Sequence, residues 1–118
     1  MPSTTNYNFG DVILVPFPFP FTNQTTSKKR PAVVVSSALY NQERPDLIIM
    51  AVTSQPAPTD AFGETSVSHW KEAGLLKPSV LKPIIASIEK DMVIQKMGRL
   101  SPTDQRNLQR VLSAIFSF

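Results

Sequence analysis

Hydrophobic positions along the chain fall into short apolar runs divided by polar or proline-rich stretches, with one stripe of helical spacing at the end. Val12-Ile13-Leu14-Val15 follows Gly10-Asp11 and predicts a first strand, being short, β-branched and bounded by breakers. Residues 32–36 predict a second, begun at Ala32 because Pro31 lacks an N–H and suits the first residue of a strand better than its middle. Residues 47–53 are almost continuously apolar and predict a buried third strand that ends at Thr53-Ser54-Gln55, where Pro56 and Pro58 stop it. Residues 40–46 read as a polar connection, and residues 64–68 alternate as a half-exposed strand does. Residues 69–75 read as a helical turn capped by Gly74. Residues 79–81 and 83–88 read as a further strand pair, and residues 91–98 as one more strand.

The clear helix is the last. Ser101-Pro102-Thr103-Asp104 supplies an N-cap, a proline at the first helical position and an acid two residues later. Leu108, Val111, Leu112, Ile115 and Phe116 follow three and four apart, one stripe for packing on a sheet. The pattern therefore predicts a mainly β domain with a C-terminal α-helix, spanning residues 1–118 as one unit.

Between the first two strands, prolines at every second position from Pro16 to Pro20 forbid helix and display Phe17, Phe19 and Phe21 from a stiff, extended segment. A polar stretch, residues 22–29, then leads into Lys28-Lys29-Arg30. By charge alone these cations read equally well as a solvated loop end. Their position changes that. If the second and third strands pair antiparallel, the start of one and the end of the other meet at the same sheet edge, bringing Arg30 to Thr53, Ser54 and Gln55. A strand-mouth arginine facing solvent offers five donors in a rigid fork, suited to paired phosphate oxygens.

Composition narrows the field. Twelve Lys and Arg against nine Asp and Glu give a net charge of +3 and a pI near 9.5, which permits a polyanionic partner. The absence of cysteine excludes disulfides and thiolate chemistry, and a lone His69 argues against zinc. Residues 1–9 are polar and uncharged, unlike a signal peptide or membrane anchor, so a cytoplasmic location without membrane association is expected.

With these pieces in order, the chain resembles the MazF/PemK family of type II toxin–antitoxin ribonucleases. The residues that carry the resemblance are Gly10-Asp11-Val12-Ile13-Leu14, Pro16-Phe17, the block from Lys28 to Ser36, Ala51-Val52-Thr53-Ser54-Gln55, Ala73-Gly74-Leu75 with Pro78-Ser79-Val80, and residues 88–100 ahead of the terminal helix. The resemblance implies a small SH3-like barrel, usually a homodimer, that cuts single-stranded RNA and is neutralised by a cognate antitoxin. It puts Arg30 and Thr53 on the family's catalytic arginine and threonine. Lys28, Lys29, Ser54 and Gln55 are the accompanying RNA-binding candidates. The Pro-Phe repeat is one unit longer than usual in the family.

Such a reaction needs no cofactor, because RNA carries its own 2′-hydroxyl nucleophile. Arg30 would stabilise charge gathering on the phosphoryl oxygens, and Thr53 would hold a phosphate oxygen or the 2′-hydroxyl. Neither is an ordinary base at pH 7. The carboxylates Asp60 and Glu64 remain unassigned candidates for that role, and His69 stays outside the catalytic set. Two alternatives remain open: a CcdB-like toxin that binds gyrase without cutting, and an inactive member that binds only RNA or antitoxin.

Overall fold

Antiparallel pairing organises the chain in the computed structural model, which describes residues 5–16, 28–54 and 61–118. The elements are β1 (Asp11–Pro16), β2 (Lys29–Val34), α1 (Ala38–Glu43), β3 (Asp46–Ser54), β4 (Thr65–Ser66), β5 (Ser79–Glu89), a short 3-10 turn (Lys90–Met92), β6 (Gln95–Arg99) and α2 (Pro102–Ile115). The strands form one sheet in the order β4-β5-β3-β2-β1-β6, curled into a half-barrel with the helix against it. The expected mainly β fold with a C-terminal helix is thus the one observed.

The central strands β1, β2 and β3 are buried on both faces for most of their length, which is why their runs read as continuously apolar rather than alternating. Val12, Val33, Met50, Val52 and Leu81 pack with Leu100 and with Leu108 and Leu112 of α2. Ile13, Val15, Ala32, Val34, Ile49 and Ala51 form the second cluster, with Tyr7, Ile84, Ile88 and Val93 packed on it.

Helix α2 begins as its sequence predicts: the Ser101 side chain accepts from the Asp104 N–H, and Pro102 occupies the first turn. Leu108, Val111, Leu112 and Ile115 of the stripe pack on the sheet, while Phe116 lies just past the helix as its C-cap and is exposed. Asp104 is buried, and its carboxylate accepts the Ser68 and His69 N–H groups, each at 2.9 Å, tying the helix start to the segment after β4.

Four local expectations are corrected. Residues 79–81 and 83–88 are one strand, β5, not a pair. The register shifts from Met50↔Ile85 to Ala51↔Lys82, leaving Pro83 and Ile84 in a bulge, where a strand tolerates proline. Residues 38–43 form a helix, α1, that overlaps what reads as a polar connection over residues 40–46. It has no apolar stripe and is held instead by the Ser37 cap on the Tyr40 N–H and by buried Asn41, which donates to the carbonyls of Tyr7 (3.0 Å) and Ser36 (3.2 Å). The last strand is shorter than residues 91–98 suggest, because the 3-10 turn takes its first part.

The fourth correction is that β2 starts at Lys29, with Pro31 inside it. Its hydrogen bonds explain how. The Val35 N–H donates to Ile48 of β3, whereas the Val34 carbonyl accepts from Gly10 on the β1 side. Backbone groups alternate sides along a strand, so the Pro31 nitrogen faces β3, where its missing N–H ends the ladder at Ala32↔Ala51. On the other side the β1 ladder continues through Leu14↔Pro31, Val15↔Arg30 and Pro16↔Lys29. Pro31 thus parts β2 from β3 while leaving Arg30 anchored to β1.

Candidate functional site: a basic cleft between β2 and β3

Where the ladder ends, a cleft of about 410 Å³ opens. Carrying the register Ala32↔Ala51 past its last rung sets Arg30 opposite Thr53. The two side chains therefore share the cleft because of strand register, with Pro31 as the residue that keeps the gap open. Its floor and walls include Leu14, Pro31, Val52, Leu75, Leu76 and Met97, and its polar lining is Lys28, Lys29, Arg30, Thr53, Ser54, Lys77 and Ser79. Every charged residue among the described lining is a cation. A cleft of one sign with apolar walls focuses its field and favours an anion.

Arg30 is half-buried, with its Nε removed from solvent, rather than projecting from a strand mouth into water. Being the second residue of a paired strand draws its stem into the sheet. Thr53 Oγ1 is buried and makes no hydrogen bond among the described residues. A buried hydroxyl left unsatisfied costs about 1–3 kcal/mol, a penalty that a bound ligand oxygen would remove.

Of the sequence candidates, the fold brings together Lys28, Lys29, Arg30, Thr53 and Ser54. Gln55, Asp60, the Pro-Phe segment from Phe17 and the rest of the first loop lie outside the described residues. Glu64 does not line the cleft; its Oε2 lies 3.8 Å from Lys82 Nζ. His69 is elsewhere too, its Nδ1 2.8 Å from Ser101 Oγ and 3.8 Å from Asp104 Oδ2 at the start of α2. Lys77, Leu76 and Met97 are lining residues that sequence reasoning did not single out. The only signal was the neighbouring stretch Ala73-Gly74-Leu75 with Pro78-Ser79, which matches the family without marking Lys77.

Their placement rests on a compact joint. The Leu75 N–H donates to the Trp70 carbonyl and the Gly74 N–H to that of Lys71, a Schellman pair closing the turn, with Gly74 at φ 84°. Ser79 then enters β5 opposite Ser54, and its hydroxyl donates to the Lys77 carbonyl at 2.8 Å. Residues 75–78 thereby form a braced arch along the cleft wall.

A curled antiparallel sheet with a C-terminal helix and a cationic cleft at a strand opening places the chain among small half-barrel β proteins. The chain belongs to the PemK-like, MazF-like toxin family of type II toxin–antitoxin systems, which matches residues 8–116. Among solved structures it is similar to the Mycobacterium tuberculosis toxin MazF-mt6, with 15% identity and a TM-score of 0.71 over 92% of this chain and 97% of that one. It is also similar to MazE-MazF from Deinococcus radiodurans, at 19% identity and a TM-score of 0.70 over 97% and 99%. A third likeness is to an endoribonuclease in complex with its cognate antitoxin from a mycobacterial species, at 15% identity and a TM-score of 0.69 over 90% of each chain. A comparison with curated protein sequences gives no match. No helix among the described residues is long and apolar enough to cross a membrane.

Proposed function

We propose that this protein is an endoribonuclease that cuts single-stranded RNA without a metal ion, by attack of the substrate's own 2′-hydroxyl, and that it is the growth-inhibiting toxin of a toxin–antitoxin pair in the cytoplasm. The observation that carries this reading is Arg30 opposite Thr53 in a cleft whose described charged groups are all cations. The described lining offers a divalent ion no carboxylate, whereas it offers a phosphodiester donors on several sides.

In this reading Arg30 donates to the non-bridging phosphoryl oxygens and gains strength as charge develops there. Thr53 Oγ1 uses its spare donor and acceptor capacity on a phosphate oxygen or the 2′-hydroxyl. In this reading the two side chains align the phosphate and stabilise the charge that develops on it. Lys28, Lys29, Ser54 and Gln55 hold the flanking backbone.

The partners that go with this reading are a cognate antitoxin and a second copy of the chain. A disordered acidic tail that folds on binding would complement the net charge of +3. The test is to incubate the purified protein with a mixed-sequence single-stranded transcript in EDTA, with gyrase supercoiling assayed in parallel. Fragmentation of the RNA with gyrase unaffected is expected. Inhibited gyrase with intact RNA would replace this reading by a gyrase-binding toxin.

A further inference from the structure

Lys77 lines the same cleft as the β2 cations but comes from the arch that leads into β5, on the other side of β3 from β2, and that arch is fixed at both ends. At one end the Schellman turn seats Gly74 against β6; at the other the Ser79 hydroxyl holds the Lys77 carbonyl, and Ser79 itself is buried in the β3–β5 ladder. No carboxylate among the described residues pairs with Lys28, Lys29 or Lys77. Gathered around one cleft, Lys28, Lys29 and Lys77 repel one another, an arrangement that favours binding of a polyanion over stability of the empty fold.

The cleft volume lies within the roughly 300–1,000 Å³ typical of sites that enclose a small ligand, enough for a nucleotide unit. If Arg30 and Thr53 hold one phosphate, a cation on the arch faces a different one. We propose that Lys77 is a substrate-positioning residue that binds the phosphate next to the scissile one, so that the strand is gripped from β2 and from the arch. This inference rests on the ribonuclease reading and adds a residue to it. Lys77 touches no reacting atom in this arrangement, and its effect falls on binding. It sets where along the cleft the chain lies.

The experiment first maps a cut in a mixed-sequence transcript, then uses an oligonucleotide spanning it. Lys77→Ala should raise KM about tenfold while kcat changes by less than about twofold, the signature of lost uniform binding. Lys77→Arg should restore most of the loss. For a non-cleavable 2′-O-methyl version, the slope of log affinity against log salt should flatten by about 0.7, as loss of one phosphate contact on a single strand requires. Lys71→Ala is the control: Lys71 is exposed and outside the cleft, its Nζ 5.4 Å from the Trp70 ring centroid, and its slope should match the parent protein.

A neutral methylphosphonate placed in turn on either side of the cut provides the direct test. At one position it should cost the parent protein about tenfold in affinity and Lys77→Ala almost nothing further, because the charge it removes has already lost its partner. Equal losses in both proteins at both positions would overturn the contact while leaving the nuclease standing. Oligonucleotide binding that shows the Lys77 coupling without any cleavage would sustain the contact and remove the nuclease reading. Absence of both binding and cleavage would overturn both, and so would an effect of Lys77→Ala confined to a protein partner overturn the contact.

Discussion

Gly74 and Gly98 meet at a joint where neither tolerates a side chain. A Cβ on Gly74 would lie 2.2 Å from the Met97 carbonyl oxygen, and a Cβ on Gly98 would lie 2.4 Å from that of Ala73. Both obstacles are backbone, and Gly74 also has a positive φ of 84°. The contact presses the turn before β5 onto β6 at a register shift, Val12↔Gly98 followed by Ile13↔Lys96, which leaves Met97 out of the ladder and free to line the cleft. Alanine at either glycine is expected to cost on the order of 1–3 kcal/mol in denaturant unfolding, Gly74 the more because strain adds to overpacking. Stability equal to the parent protein for both variants would show that the joint yields easily.

Asp104 joins two parts of the fold. Its buried carboxylate accepts from the Ser68 and His69 N–H groups and from Ser101 Oγ, the last at 3.3 Å. Asp104→Ala strips these donors of their acceptor and should lower stability by about 3 kcal/mol, a charge-assisted bond contributing more than a neutral one. Asp104→Asn, which keeps one acceptor oxygen, should lose less. Chemical denaturation distinguishes the two, and similar small losses would mean that water replaces the carboxylate.

Much of this was legible beforehand, for reasons that differ by region. The meeting of Arg30 with Thr53 follows from antiparallel pairing of two adjacent strands, information held in the apolar runs and in Pro31 itself. The α2 start was equally plain, since a Ser-Pro-x-Asp cap is chemistry within four residues. Lys77 was not legible, because its position in the cleft depends on a contact between Gly74 and β6 that is remote in sequence. Helix α1 hid for another reason: its stability comes from a serine cap and a buried asparagine rather than an apolar stripe. Strand β5 reads as two strands in the sequence because Pro83 signals a break, and only the opposing register reveals a bulge.

A pH effect is expected where α1 leads into β3. The Tyr40 hydroxyl donates to Asp46 at 2.7 Å and Arg44 Nε lies 2.8 Å away, so the Asp46 carboxyl is held below its ordinary value, chiefly by the tyrosine hydrogen bond and further by the arginine. A depressed folded-state pKa contributes stability that is present above the unfolded value of about 3.9 and is lost as pH falls through the folded one. Asp46→Asn should therefore weaken the acid limb of the stability curve and leave less difference from the parent protein as pH falls below about 4. A constant difference between the two proteins from pH 7 down through pH 2 would count against this coupling.

If Arg30 and Thr53 act on a phosphate attacked by its own neighbouring 2′-hydroxyl, the ends left by the cut carry the signature of that attack. An RNA oligonucleotide cut in EDTA should yield a 2′,3′-cyclic phosphate and a 5′-hydroxyl, and replacing the nucleotide 5′ to the cut by its deoxy form should abolish cleavage. Arg30→Ala should reduce the rate by about a hundred- to a thousand-fold, with Arg30→Lys recovering little, and Thr53→Ala should fall substantially as well. Since Arg30 is half-buried in β2, unfolding curves must accompany the rates. A 5′-phosphate product, or cleavage lost in EDTA and restored by magnesium, would instead mark a metal-dependent nuclease and rule out attack by the 2′-hydroxyl.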